Sequence, residues 1–382
     1  MKLYSNRAGK LYHVQSDYDC FVPRNLNEIN IIYDDEMVDL LNQANLLLGR
    51  LDGIASNLPD RDLFISMYVE KEAVVSSQIE GTQASLSDVL QKNNKEKKRE
   101  TEEIVNYVHS LNYGIDLMKR LPISIRYLKE IHKELLKGVR GEQKNPGELR
   151  HSQNWIGPKG CTLSTATFIP PSVDNMIDAL NELELYMNDE TQLSSLIKIA
   201  LIHYQFETIH PFLDGNGRLG RLLIILWLKY NNYLKYPLLY LSLYFKQNRT
   251  EYYLLLNDVR FKGKYEEWIK FFLKGIIEVA SNSIETIAQI NMLKDDTYNK
   301  INELTIKNKN TYFNVINYLF KHPYFNSKDI VDEFNISKPT VSKIVDELIN
   351  LKIIVPTSNK QRYVLYKFEE YINILEQGVE NI

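Results

Sequence analysis

The 382-residue sequence predicts a mainly α-helical fold with a separate C-terminal helix-turn-helix unit, on three observations. Apolar residues recur at helical spacing through most of residues 62–290. Gly and Pro are frequent in one stretch between helical blocks, "RGEQKNPGELRHSQNWIGPKGCTLSTATFIPP" at residues 140–171, where Thr, Trp, Ile and Phe punctuate them; this is the composition of a β-hairpin. Beyond residue 310 the pattern becomes helix, helix, helix, then two β-like runs around a polar turn, the element order of a winged helix-turn-helix.

The length suits two to three domains. A hydrophobic share of 44% is enough to build a sizeable core. The net charge of -3 gives no reason to expect a nucleic-acid or membrane partner for the chain as a whole. Cys20 and Cys161 are too few and too far apart for a disulfide framework or a zinc site. The opening "MKLYSNRAGKLYHV" lacks the apolar centre of a signal peptide. The longest apolar run, "LLIILWL" from Leu222 to Leu228, is far short of the roughly 20 residues that span a membrane. These features predict a reduced, cytoplasmic protein.

Residues 1–60 mix short apolar runs with turn residues. From Asp62 a helix is expected, carrying Leu63, Met67, Val74 and Ile79 near helical spacing, with Gly81 placed to end it. The charge run "QKNNKEKKRE", Gln91–Glu100, has no apolar content and reads as a solvated loop or helix end. Helices follow at Thr101–Leu121 and Ser124–Val139, and after the hairpin segment they dominate to about residue 290. Residues 291–310 are polar and read as linker or helix end. In the C-terminal unit Ser327 and Ser337 are placed to cap helices, with Pro339 in the first turn of the second. The expected domains are residues 1–100, 101–290 and 305–370.

The most informative stretch is "HYQFETIHPFLDGNGRLGRLLIILW", His203–Trp227. Leu196 to Thr208 read as one helix. His210 precedes Pro211, which biases its backbone away from helix and puts it at a helix exit. "DGNG", Asp214–Gly217, is a tight turn, and a new helix should start at about Asn216. A glycine-bearing turn that opens a helix gathers backbone N–H groups at the positive end of the dipole, an anion site. Arg218 and Arg221 share one face of that first turn, where the dipole disfavours cations; a polyphosphate would compensate them, since Arg forks match phosphate oxygens. Asp214 can cap the helix or hold Mg2+ against phosphates. His210 is suited to general-base work because its ordinary pKa lies near neutrality. Glu80 poses a separate question: it closes a helix at the dipole end that disfavours a carboxylate, and a buried cation would relieve it. Ser76, four residues earlier on the same face, is placed to hydrogen-bond it.

"HPFLDGNGRLGR", His210–Arg221, resembles the Fic family signature H-x-F-x-D/E-G-N-G-R-x-x-R at every fixed position. "SSQIEGT", Ser76–Thr82, is similar to that family's inhibitory motif, S/T-x-x-x-E-G/N, and "ELRHSQNWIGP…ATFIPPS" to its substrate-binding flap. With the C-terminal winged helix, the resemblance covers about residues 10–370. It implies a Fic-type helical bundle with a β-hairpin flap. The implied activity is protein adenylyltransfer: AMP passes from ATP to Ser, Thr or Tyr hydroxyls on a target protein, or on the chain itself. By the same resemblance His210 is the general base and Asp214 holds Mg2+. Gly215, Asn216 and Gly217 form the anion cradle, and Arg218 and Arg221 grip the outer phosphates. Leu219 and Gly220 complete the ATP-binding motif. Phe212 is an apolar anchor, and Tyr252 is placed near the adenine while Tyr253 is assigned to the core. Some relatives have Asn where Arg260 stands here, so no nucleotide role is carried onto Arg260. Ser76, Glu80 and Gly81 form the inhibitory element, with Glu80 pairing Arg221 and denying it to the γ-phosphate.

The target protein is expected along the flap, Asn154–Pro171, by β-strand addition. The C-terminal unit offers Ser337, Lys338, Thr340, Ser342 and Lys343 outward, with Lys360 and Arg362 in the wing. Its excess of three positive charges over residues 305–370 suits phosphate contacts with DNA; Asp346 and Glu347 suit a protein or homodimer contact. Three other readings belong beside AMP transfer. One is transfer of a different phosphate-containing group. Another is a Fic-type deAMPylase. The third is a nucleotide-sensing winged-helix transcription regulator.

Overall fold

A computed structural model describes residues 2–14, 18–56, 61–91, 98–158, 160–189, 193–306, 308–358 and 364–378. The chain opens on an antiparallel hairpin, β1 (Gly9–Val14) and β2 (Tyr18–Pro23), that the sequence reading did not anticipate. Helices follow in order: α1 (Asp35–Ser56), α2 (Arg61–Ile79), α3 (Leu86–Leu90), α4 (Lys98–Leu117), α5 (Ile125–Leu135), α6 (Val173–Asn188), α7 (Ser195–Ile209), α8 (Asn216–Tyr230), α9 (Ser242–Gln247), α10 (Arg249–Lys262) and α11 (Tyr265–Glu303). The C-terminal unit runs α12 (Lys309–Lys321), β3 (Tyr324–Asn326), α13 (Ser327–Phe334), α14 (Lys338–Asn350), β4 (Val355–Pro356), β5 (Leu365–Lys367) and α15 (Glu369–Glu376).

The core is built on α7 and α8. Every residue of α7 from Leu196 to Ile209 is buried, including His203, Gln205, Glu207 and Thr208. A helix that is apolar nearly all round belongs inside a bundle. α8 lies against it, buried from Arg218 through Leu228. α2, α4 and α5 pack on α8; α6, α10 and α11 pack on α7. α1 lies along α11 on the outside. α11 has 39 residues, so it runs about 58 Å at 1.5 Å per residue. The stretch 291–303, read from its polarity as linker or helix end, is its last three turns: Leu293, Thr297 and Ile301 keep one stripe buried while the polar residues face outward.

The hairpin expected at 140–171 is much reduced. A single β-bridge joins Ile156 to Phe168, with both backbone N–H groups of Thr167 and Phe168 donating to the Ile156 carbonyl. Between them lies a one-turn helix, Leu163–Thr165. Phe168 is completely buried and anchors the returning arm, while the Phe21 N–H donates to Ile169 O and ties it to β2.

In the C-terminal unit the three strands form one antiparallel sheet in the order β3-β5-β4. Ser337 caps α14, its hydroxyl accepting from Thr340 N, with Pro in the first turn. α13 is capped by Asn326 in a capping box with Asp329, so Ser327 is its first helical residue rather than its cap. Lys360 and Arg362 lie outside the described residues, as does most of the charge run that begins at Gln91. α15 packs against α11 and also against α2, where Lys71 Nζ donates to the Gln377 carbonyl at 2.8 Å.

Candidate active site

α7 ends at Ile209, and His210 is its C-cap in the left-handed region (φ 50, ψ 60). Pro211 keeps His210 out of the helix, but the residue turns left-handed instead of extending. A non-glycine residue there carries backbone strain, which persists only where its surroundings hold it. Three groups hold it. The Arg150 Nε–H donates to His210 O at 3.1 Å. Asn154 Nδ2 donates to the carbonyls of His210 and Phe212 at 3.1 and 3.0 Å. The His210 N–H returns to Phe206 O at 2.9 Å. The imidazole is half-buried, and its Nδ1 has no hydrogen-bond partner among the described residues. Burial, then the cations Arg260 and Arg150, hold its pKa well below the ordinary value, so the ring is neutral and able to accept a proton.

The turn to α8 is pinned by Asn216. Its Oδ1 accepts from Phe212 N at 2.9 Å, and its Nδ2 donates to Phe212 O at 2.8 Å. Gly215 takes φ 76 as N-cap, a left-handed conformation that favours glycine. Two histidines missed by the sequence reading brace the turn. His132 on α5 receives the Gly147 N–H on Nδ1 (2.8 Å), so Nε2 carries the proton it donates to Asp214 O (2.9 Å). Burial lowers its pKa to about 4, and its ring stacks on Phe212 at 3.9 Å. His203 on α7 donates from Nδ1 to Gly220 O and accepts from the Tyr252 hydroxyl. Neither could be found from spacing, because each partner lies in a segment distant in sequence.

The first N–H of α8 to be claimed by an α-type bond across the turn is that of Leu219, which donates to Gly215 O. The N–H groups of 216–218 are therefore the cradle. Leu219 sits in the core: its N–H is bonded to Gly215 O and its side chain is completely buried. Gly220 is a packing position; a Cβ there would lie 2.4 Å from Glu207 Oε1. Glu207 is buried with that oxygen unpartnered among the described residues, and burial raises its pKa to about 7.

Both arginines of the helix start are buried and both meet carboxylates. Arg221 donates from Nη2 to Glu80 Oε1 at 2.8 Å, and to Ser76 through Nε–Oγ (2.8 Å) and Nη2–O (2.9 Å). Ser76 was expected to bond Glu80; it bonds the arginine instead, because one helical turn separates it from Glu80 while Arg221 lies between them. Burial pushes the Glu80 carboxyl up, but Arg221, Arg218 and His210 outweigh it and hold its pKa below the ordinary value. The carboxylate lies directly over the cradle: a Cβ added to Gly217 would sit 2.2 Å from Glu80 Oε1. Arg218 has Nη1 3.5 Å from Glu103 Oε2 and Nη2 3.5 Å from Asp214 Oδ1. α2 ends as expected at Gly81 (φ 96), whose N–H donates to Gln78 O.

Asp214 Oδ1 accepts from Gly215 N at 2.6 Å. Among the described residues no cluster of three His, Cys, Asp or Glu groups is placed to hold a metal. That donor set suits Mg2+, which binds through one or two carboxylates and completes its shell with phosphate and water.

The two tyrosines differ in burial from what was expected of them. Tyr252, expected near the adenine, is buried, stacked on Phe245 at 4.6 Å and bonded to His203. Tyr253, expected in the core, is 38% exposed. The Arg249 guanidinium lies 5.8 Å over its ring, and Arg249 also donates to Ile79 O at the end of α2. The helix face of α10 was therefore misassigned by one residue. Arg260 is buried, donating to Glu207 O and Thr208 Oγ1, with its guanidinium 3.9 Å over the Phe168 ring of the flap.

One helix start of the bundle thus carries free backbone N–H groups beside a histidine and beneath a carboxylate, an arrangement that suits an anion. Residues 38–116 match the Fic/DOC family N-terminal description and residues 122–228 the Fic/DOC family. Over these two stretches the chain is similar to Fic/DOC proteins. It is 29% identical over 175 residues to a protein adenylyltransferase Fic of Drosophila willistoni, 45% of this chain and 32% of that protein. It is 30% identical over 176 residues to that of Drosophila mojavensis, 45% of this chain and 31% of that protein. The chain thus spans about a third of the length of these relatives. In fold it is similar to a Fic family protein from Desulfovibrio desulfuricans G20 (TM-score 0.57, 18% identity, 88% of this chain and 97% of that one). It is also similar to Fic-1, residues 134–508, from C. elegans (TM-score 0.50, 20% identity, 66% and 73%). Among the described residues no helix is long and apolar enough to cross a membrane.

Proposed function

We propose that the chain is a protein adenylyltransferase held inactive by its own α2. The observation that carries this is the Glu80 carboxylate lying over Gly217 and on Arg221, where the cradle would receive the outermost phosphate of ATP, with His210 beside the same turn. Named relatives that are protein adenylyltransferases support it.

In the reaction, His210 takes the proton from a target hydroxyl, whose oxygen attacks the α-phosphorus. The α–β phosphoanhydride bond breaks and pyrophosphate leaves. Backbone N–H groups at residues 216–218 and the two arginines stabilise the charge that develops, so positioning and electrostatics suffice without a covalent intermediate. Asp214 would hold Mg2+ against the phosphates, which would neutralise part of their charge. Arg150 fixes the flap to the histidine: Nη1 donates to Ser152 O, Nη2 to Pro171 O and Nε to His210 O. A target backbone laid along Asn154–Pro171 would thus be positioned relative to the base.

The test is label transfer onto protein. Label at the α-phosphate of ATP should pass to protein in the Glu80→Gly variant, label at the γ-phosphate should not, and His210→Ala should abolish transfer. Robust transfer by His210→Ala would remove the general-base role. No transfer even without Glu80, with ATP still bound, would favour a nucleotide-sensing regulator.

We read residues 309–376 as a winged helix. The three-stranded sheet behind α13 and α14 supports this, as do the exposed Ser337, Lys338, Thr340, Ser342 and Lys343 along the start of α14. DNA phosphates are the partner this face suits, and absence of any duplex shift at low salt would remove it.

A further inference from the structure

Arg218 and Arg221 are both buried at the start of α8, but they are held differently. Arg221 has three well-formed hydrogen bonds. Arg218 has two long contacts, Nη1 to Glu103 Oε2 and Nη2 to Asp214 Oδ1, each at 3.5 Å, and its Nε and Nη2 make no hydrogen bond among the described residues. A buried guanidinium held this loosely is costly and keeps donors for a ligand. Glu103, on α4, is itself buried. Its Oε2 also accepts from the Thr82 hydroxyl at 3.1 Å, and its Oε1 lies 3.7 Å from Arg140 Nε. Arg140 in turn donates to the Glu80 carbonyl at 3.3 Å.

Glu80 and Thr82 belong to one turn, closed by the Thr82 N–H on Ser77 O. That turn therefore reaches both arginines of α8: Glu80 touches Arg221 directly, and Thr82 reaches Arg218 through Glu103.

We infer that Glu103 is a positioning residue for Arg218 and a second fastening of the inhibitory turn, because one carboxylate oxygen serves both. It presents Nε and Nη2 of Arg218 to the nucleotide phosphates, and it anchors Thr82 while the turn is seated. This rests on the proposed inhibition by Glu80.

The experiment uses the full chain with Glu103→Gln and Thr82→Val, each alone and with Glu80→Gly. With the turn already released by Glu80→Gly, Glu103→Gln should raise KM for ATP about 10-fold with kcat nearly unchanged, the signature of lost uniform binding. A merely structural role would lower the melting temperature and the active fraction without moving KM. Thr82→Val alone should raise transfer about 10-fold, the low end of what one hydrogen bond to a charged group contributes. It should add nothing once Glu80 is gone, and Thr82→Ser should restore inhibition. An unchanged KM for ATP in the Glu103→Gln, Glu80→Gly double variant overturns the positioning role. Unchanged transfer by Thr82→Val overturns the fastening. Mg-ATP affinity by calorimetry separates this from the activity itself: weaker binding on adding Glu103→Gln supports the inference even if no AMP is transferred, and equal binding overturns it.

Discussion

Replacing Glu80 by glycine removes a carboxylate that shares Arg221 with Ser76. The remaining bonds of Arg221, Nε to Ser76 Oγ at 2.8 Å and Nη2 to Ser76 O at 2.9 Å, keep the guanidinium in place, so the substitution frees the arginine without leaving it adrift. A hydrogen bond to a charged group contributes about 1.5–3 kcal/mol, and each 1.4 kcal/mol is about tenfold. The Glu80 side chain is 32% exposed, so water already screens part of the contact and the lower half of that range applies best. The same change clears the space over Gly217, where Glu80 Oε1 lies 2.2 Å from the position of an added Cβ. Transfer of α-labelled AMP to protein should therefore rise about 10- to 40-fold in Glu80→Gly, mostly through tighter ATP binding. Glu80→Gln, which keeps the bulk over Gly217 and loses the charge, should fall between. Equal labelling by wild type and Glu80→Gly, with both folded by circular dichroism, would refute the reasoning.

Asn216→Ala should cost about 1–3 kcal/mol of stability, since it leaves the buried Phe212 N–H unpaired and takes one of two donors from the Phe212 carbonyl, which keeps Asn154; urea unfolding checks this, and a loss under 1 kcal/mol would mean that the turn holds itself. Glu72 is buried with its carboxyl raised from 4.5 to about 7, chiefly by burial. A raised folded pKa gives stability that is full below pH 4.5 and is lost as pH rises through 7. At about 1.4 kcal/mol per pH unit, wild type should lose on the order of 3 kcal/mol more than Glu72→Gln between pH 4.5 and 7.5, read from melts across that range; parallel profiles would rule it out. Arg260→Met removes a cation that lowers the His210 pKa, so the acid limb of the transfer rate in the Glu80→Gly background should move to higher pH. An unmoved limb with normal folding would show that Arg260 has no part in setting the histidine.

Much of the site was legible because its chemistry is carried by residues close in sequence. His210 at a helix exit, Asn216 as the start of α8 and Gly81 as the end of α2 follow from proline, glycine and dipole rules acting within a few residues. The partner of Arg221 was legible too, but only through the oddity of a carboxylate at a helix C-terminus. What escaped was set by tertiary contact. His132, Arg150 and Glu103 act on the turn from three other segments, and no local pattern marks them. Tyr252 and Tyr253 are neighbours on α10, and a helix turns 100° per residue; choosing which faces Glu80 needs the packing of α10 on α7 and α11. The N-terminal hairpin was missed because its strands have only six residues each.

The same distinction explains why the proposed inhibition would come at little cost to the fold. Two cations at the start of α8 oppose the helix dipole, and both are buried, so without anions they would destabilise the core. In the resting chain Glu80 and Glu103 supply those anions from α2 and α4. A nucleotide can replace Glu80 because its phosphates bring the same charge to the same helix end, and Glu103 stays to hold Arg218 in either state. The residue most able to leave is accordingly the more exposed of the two carboxylates, Glu80 at 32% against 5% for Glu103. The proposed inhibition and catalysis thus draw on one electrostatic requirement, and α2, which leads into Glu80, is also contacted by α15 of the C-terminal unit. Any partner that shifts α15 would act on the helix that carries Glu80.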